Sequence, residues 1–259
     1  IETAALFGQF TADVTPTLSA YIGARWEYRG SDYDDINNVD EQFSDTLWSG
    51  RAGLEWTPNA GNDVYLSVSR GVRGGGVNAN LLASINALPN EVANEFSSLG
   101  FFDAESLINT ELGWRWRNAE GTLSSDLTVF SMRRSDQQAK SSLVIPRADG
   151  SFSEYSNKAA RGSSDGVEWH VAWAATDTLT FQGSLGLLDA HFDRYVTVDG
   201  DDLAGRDQPH APKTMSQLGV NWRPFPSWQF GLDMTTMGDF YFSDRHETKS
   251  PSRTLFNSF

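Results

Sequence analysis

Four histidines, a run of carboxylates, a glycine-rich stretch and alternating arginines and glutamates are the residues of this chain that could do chemistry. His170, His191, His210 and His246 lie in separate segments and share no metal-ligand spacing. Nucleophilic catalysis of the Ser/His/Asp kind needs a histidine oriented by an acidic partner. His170, beside Glu168 and Asp165, is the one loose fit, and a histidine on a polar surface is the better reading. The acidic run Asp32, Asp34, Asp35, Asp40, Glu41 and Asp45 suggests a calcium site, since hard cations take oxygen ligands. It lacks the glycine and the alternating Asp/Asn pattern of a calcium loop, so a solvated loop is favoured. Gly71-Val72-Arg73-Gly74-Gly75-Gly76 has neither the Gly-Lys-Ser/Thr nor the following helix of a phosphate cradle. It reads as a strand giving way to a loop, with Arg70 or Arg73 free to meet an anionic ligand. There is no cysteine, hence no thiolate metal site, thiol nucleophile or disulfide framework. No resident cofactor or metal is expected.

The elements that position these residues are strands. In residues 107–132, Ile108, Thr110, Leu112, Trp114 and Trp116 alternate with Asn109, Glu111, Gly113, Arg115 and Arg117. Successive strand side chains point to opposite faces, so this arm has an apolar wall and a charged one. Asn118, Ala119, Glu120 and Gly121 supply a tight turn, and Leu123, Leu127 and Val129 oppose Ser124, Asp126 and Thr128 on the return. Paired tryptophans on one face and both signs of charge on the other describe a sheet with lipid outside and water inside. Arg25, Glu27, Arg51, Glu55, Glu111 and Arg115 would then form ion pairs on the watery face, each contributing ~0–1 kcal/mol where exposed.

The same alternation recurs along the chain and predicts about eleven strands, roughly ten residues each at their apolar core. That length crosses a bilayer at a tilt of roughly 45°. Turns near Thr15, Asn59, Ala119, Thr176 and Phe225 are short, whereas loops 31–46, 74–106, 136–162, 190–213 and 239–251 are long. Local helical composition is confined to 79–88 and 90–99. Trp56, Trp114, Trp116, Trp173, Trp222 and Trp228 gather on the short-turn side and Trp26 and Trp48 flank a long loop, which reads as two aromatic girdles. The alternative is a soluble propeller or sandwich with buried tryptophans. Rows of Arg, Glu and Asp on the opposite faces argue against it.

Bulk composition agrees. Lys and Arg number 20 against 34 Asp and Glu, a net charge of −14, which makes the chain a poor candidate for nucleic acid, whose binding needs a basic face, and none is expected as a partner. No run approaches the ~20 apolar residues of a membrane helix. Barrel strands escape that test because they interleave polar residues. The chain starts at Ile1 without a leader pattern, so a processed chain or a fragment is expected.

Residues 65–78, Tyr65-Leu66-Ser67-Val68-Ser69-Arg70-Gly71-Val72-Arg73-Gly74-Gly75-Gly76-Val77-Asn78, resemble a barrel segment of TonB-dependent outer-membrane receptors. That segment often reads aromatic-x-Ser-x-Ser-Arg-Gly-Phe-Lys-Ser-Gly-Gly-Phe-Asn. Phe102-Asp103-Ala104-Glu105 with Thr110-Glu111-Leu112-Gly113-Trp114-Arg115 is similar to that family's Phe-x-Pro-Glu…Tyr-Glu-Leu-Gly-x-Lys. Asn157-Lys158-Ala159-Ala160-Arg161 with Gly166-Val167-Glu168 is similar to its Asn-x-Gly-x-Ala…Gly-x-Glu. Ala104, Thr110 and Val72 depart from the usual Pro, Tyr and Phe.

The resemblance implies an all-β, antiparallel transmembrane β-barrel of the bacterial outer membrane, present in part: about eleven of the family's 22 strands. Residues 1–259 would belong to the C-terminal barrel, with plug domain and closing strands absent. It further implies active, TonB-energised uptake of a nutrient complex, most readily an iron–siderophore. A passive porin, a carbohydrate or cobalamin receptor, and a barrel-wall enzyme are the competing readings, and no catalysis is expected. Expected partners are the bilayer and lipopolysaccharide, the plug of the same full-length chain, TonB through that plug, and the nutrient complex. Ligand should be met where long loops join the strands, at Arg73, Asn78, Arg134, Gln138 and Arg161. By strand parity Arg134 should face the lumen and Arg133 the outside.

Overall fold

The computed structural model describes residues 1–36, 39–86, 88–89, 93–94, 96–147, 150–197 and 200–259, with the side chains of 140–159 left aside. Eleven strands form one antiparallel sheet: β1 (Glu2–Thr15), β2 (Leu18–Asp34), β3 (Asp40–Asn59), β4 (Asn62–Arg73), β7 (Glu105–Arg117), β8 (Leu123–Arg147), β9 (Gly150–Thr176), β10 (Leu179–Arg194), β11 (Thr214–Phe225), β12 (Trp228–Met237) and β15 (Arg253–Ser258). Each pairs with its neighbour in chain order. Two small ladders lie in the loops: β5 (Gly76–Val77) with β6 (Phe101–Phe102), and β13 (Phe240–Tyr241) with β14 (Lys249–Ser250). Among the described residues α1 (Ala79–Asn86) falls inside the first expected helical stretch, and Ala93, Asn94 and Phe96 are helical in the second. The second, 90–99, lies partly outside the described residues and ends in a 3-10 turn, Ser97–Leu99.

Two segments expected as loops are strands. β2 and β3 pair as far as Asp34 opposite Asp40, and β8 and β9 as far as Arg147 opposite Gly150. The first needs no continuous apolar face to persist, because its backbone groups are satisfied by the partner arm, while one side meets water and the other meets loop 74–104, where Asp45 accepts from the Gly75 amide.

Directly paired residues of an antiparallel sheet share a face, so register assigns every wall side chain. On one face Phe10–Ile22–Ala52–Val68–Thr110 and Leu54–Leu66–Leu112–Val129–Val167–Leu187 run across the strands. On the other run Gln9–Gly23–Arg51–Ser69–Asn109 and Glu55–Tyr65–Gly113–Thr128–Glu168. Register also gives the strand tilt. Asn62, which opens β4, connects through Trp116, Ser125, Val171, Gly183 and Leu218 to Met234, six residues past Trp228, which opens β12. The short turns therefore slip by one residue per strand. At ~3.3 Å per residue and ~4.8 Å per strand, that slip corresponds to a tilt of roughly 35°, the value of membrane barrels.

Neighbouring strands are keyed together on the polar face. The Tyr21 ring lies over Gly53, Tyr65 over Gly113, and Phe130 over Gly166; a Cβ at Gly113 would fall 2.0 Å from the Tyr65 ring. Each glycine leaves room for the cross-strand ring, a pairing that pins register. At the short rim, Gly121 turns the chain with φ +70°, while Asn118 accepts from the Leu123 amide through Oδ1 at 2.9 Å.

Buried apolar residues are concentrated above the wall. Leu81 and Ile85 of α1 pack with Leu88, Ala93, Phe96 and Leu99. Phe192, Tyr195 and Leu203 pack with Ala160 where loop 195–213 folds over β9 and β10.

Candidate functional site

The polar face carries arginines whose settings differ. Arg25 donates to Glu27 at 2.9 and 2.6 Å, and Arg115 lies 3.2 Å from Asp63 and 3.9 Å from Glu55. Arg51 instead donates through Nε and Nη2 to the neutral amide oxygen of Gln9, at 3.1 and 2.6 Å. Its guanidinium stands 5.5 Å from the Tyr21 ring centre, as that of Arg115 stands 4.7 Å from Tyr65. Arg25 and Arg51 line a cleft of about 790 Å³ with Gln9, Glu27, Ser49 and Ser69. This arrangement offers fixed positive charge and hydroxyl donors to a bulky anion or to a polar protein surface.

A smaller hollow of about 300 Å³ holds Asp126, His170, Ser184, Gln182 and Gln217. Register sets His170 between Asp126 and Ser184, closer than the sequence neighbours Glu168 and Asp165 suggested. Among the described residues no hydrogen bond joins the three, and no three His, Asp or Glu side chains gather as a metal site. The acidic run is put to structural use: Asp35 accepts from the Val39 amide at 3.2 Å and Asp45 from the Gly75 amide at 2.6 Å.

Of the five residues expected to face ligand, three meet at the foot of loop 74–104, around Glu105. Arg73 pairs with Glu105 in register and is exposed. Arg134 Nε lies 3.3 Å from Glu105 Oε1, on the polar face by its pairing with Leu107. The Gln138 amide donates to Glu105 Oε2 at 2.8 Å, while its side chain donates to the Gly74 and Asp103 carbonyls at 2.9 and 3.1 Å. Asn78 is buried inside the loop and donates to the Leu99 carbonyl at 2.7 Å. Arg161 is exposed and shares strand parity with Ser163 and Asp165, on the outward side. Glu105, which organises the foot, is not among the five expected residues, and its signal in the sequence is a carboxylate at the junction of a glycine-rich loop and a strand.

The girdle residues fall as a set. Trp26 pairs with Trp48, and Trp56, Trp114, Trp116, Trp173, Trp222 and Trp228 all lie on the apolar face. Arg70 does too, through its pairing with Gly50 and Ile108, so it is not turned toward the lumen.

An eleven-stranded meander with alternating short and long connections, one apolar face and one polar face matches one family model over residues 1–259, the TonB dependent receptor-like β-barrel. The chain belongs to this family. Among solved structures, the TonB-dependent receptor barrel resembles the ferric yersiniabactin uptake receptor FyuA from Yersinia pestis, with TM-score 0.73 and 17% identity over 99% of this chain and 37% of that one. It also resembles the unliganded ferric citrate transporter FecA, with TM-score 0.75 and 15% identity over 99% of this chain and 36% of that one. The copper transporter OprC matches with TM-score 0.71 and 15% identity, over 99% of this chain and 40% of that chain. The chain thus spans well under half the length of these receptors. No curated protein is similar in sequence. In a TonB-dependent receptor barrel the apolar face meets the outer-membrane lipid and the polar face lines the lumen.

Proposed function

We propose that this wall serves the active uptake of an anionic nutrient chelate, an iron–siderophore complex, with residues 1–259 as part of a C-terminal barrel closed by further strands. A plug in the same full-length chain would occupy the lumen and yield to force delivered through TonB. The carrying observation is the lumen cleft in which Arg51 is held by a neutral amide, leaving its positive charge for a visitor. In a chain of net charge −14 such a charge is a local attractor for anions. Two of the neighbours are named for ferric yersiniabactin and ferric citrate, both metal chelates, which favours this substrate class over carbohydrate or cobalamin. Arg73, exposed at the loop foot, would meet the ligand first. Arg134, Gln138 and Asn78 would act through the loop, and Arg161 from outside the lumen.

Uptake of a labelled ferric chelate by cells carrying the full-length receptor tests this. Uptake should vanish without TonB, and fall about ten-fold in Arg51→Gln, the loss of one charge-assisted contact. TonB-independent uptake would establish a passive porin instead. Hydrolysis of an outer-membrane substrate that is lost in His170→Ala would establish the enzyme.

A further inference from the structure

The lumen face is not polar throughout. Register puts Phe130 of β8, Gly166 of β9 and Leu188 of β10 in one row, and Met132, Ser164 and Ala190 in the row above. Gly186, the next lumen position below Leu188, pairs with Met215 of β11, which pairs with Met237 of β12. Three of the four methionines thus stand on this sector. The Phe130 ring fills the space that glycine leaves at 166, where a Cβ would fall 2.4 Å from it, so the ring lies over β9 on the side of Leu188. Loop 195–213 roofs the sector. The Gln208 amide donates to the Ala190 carbonyl at 2.9 Å, and Ala190 and Phe192 are buried. Below that roof Phe130, Met132 and Leu188 are half-buried and Met215 is 44% exposed. Polar side chains resume with Thr128, Glu168 and Gln217.

The sector is continuous with the cleft of Arg51. One row, Arg51–Ser69–Asn109–Met132, joins them across three strand spacings, ~14 Å, and Ser69 already lines the cleft. Glu111, beside this path, accepts from the Asn109 side chain at 2.6 Å. We propose that Phe130, Met132, Leu188 and Met215 hold an aliphatic arm of the chelate whose anionic centre meets Arg51. This rests on the uptake reading and narrows its substrate to an amphiphilic chelate. Charge fixes one end of such a molecule at Arg51. The wall beside it offers thioether, aliphatic and phenyl surface, with Ser164 the one hydroxyl in the two rows. Thioether side chains adapt to a flexible chain. Each methylene fully buried there strengthens binding about four-fold. The rows face the lumen, which separates them from the acyl chains of the bilayer.

The test uses the full-length receptor in phosphatidylcholine nanodiscs, titrated by tryptophan quenching with empty nanodiscs as the blank. The probes are two ferric chelates of equal negative charge, citrate-centred bis-hydroxamates bearing N-acetyl or N-hexanoyl groups. The hexanoyl chelate should bind about ten-fold tighter or more, and Met132→Ser and Leu188→Ser should each cut that preference to about three-fold or less. Arg51→Gln should weaken both chelates about ten-fold and keep their ratio. Ser216→Ala, on the outward face through its pairing with Leu185, should change neither. Equal affinities, a preference untouched by both serine variants, or an equal loss of preference in Ser216→Ala would each overturn the arm site. A lowered melting temperature in the serine variants with the preference intact would assign the sector to packing against the plug instead. Failure of both chelates to bind would overturn the anionic-chelate reading and the arm with it, whereas binding of both without preference would overturn only the arm.

Discussion

Leu112 in the wall and Leu81 in the loop cap are the same residue in two solvents. Leu112 is 53% exposed and Leu81 is 0% exposed. Around Leu112 the wall offers only strand neighbours, so bilayer supplies the remaining contacts and the ladder hydrogen bonds hold the backbone. Around Leu81 the loop must build its own interior, which it does with Ile85, Leu88, Phe96 and Leu99. A barrel of this kind therefore needs close packing where it meets water, in the loops, and needs register more than packing where it meets lipid. The loops are folded bodies, placed by contacts such as Gln138 to Gly74 and Asp103.

Several substitutions in the full-length receptor would break or sharpen that contrast. Leu81→Ala should cost about 3–5 kcal/mol, a transfer loss plus a cavity. Because the loop is a satellite body, the cost should appear as faster hydrogen exchange confined to the loop around α1, with barrel melting unchanged. Leu112→Arg should destabilise the whole barrel by about 2–4 kcal/mol, read as a lower denaturant midpoint for folding into lipid. An unchanged midpoint would mean that this face does not meet lipid.

A smaller effect separates register from packing. Gly113→Ala should cost about 1–3 kcal/mol by crowding the Tyr65 ring. Adding Tyr65→Ala should recover part of that loss, giving a favourable coupling in the double-mutant cycle; strict additivity would show that the ring and glycine do not key the strands.

The smallest expected effect lies at the exposed loop pair Asp239 and Lys249. The hydrogen bond from Lys249 holds the Asp239 carboxyl below its usual range, and the same bond raises the Lys249 ammonium above its own. The contribution of Asp239 is present above the ordinary carboxylate pKa of ~3.9 and disappears as pH falls through its lowered value. The contribution of Lys249 is present below the ordinary ~10.4 and disappears as pH rises through its raised value. Protection of the β13–β14 ladder, taken relative to the intrinsic exchange rate at each pH, should therefore be greatest between those limits and fall on the acid side, whereas the wall strands should show no such step.

Alternation in the sequence was sufficient to determine the wall. Period two assigns Trp114 to one face and Arg115 to the other from their positions alone, because a strand has no third direction to offer. The short turns were equally legible, since Asn118 and Gly121 form their turn with neighbours within five residues. The same local rule stopped at the loops. Nothing near residues 31–46 announces that the two arms pair to the tip, because that pairing depends on which arm lies opposite. The five residues expected to meet ligand share polar or cationic side chains near the loop ends of strands. Tertiary contacts then set Gln138 against carbonyls 64 and 35 residues away and buried Asn78 against Leu99. Arg70 shows the division most directly. Strand parity places it outward, but only the tryptophan of the adjacent strand determines where its charge comes to rest.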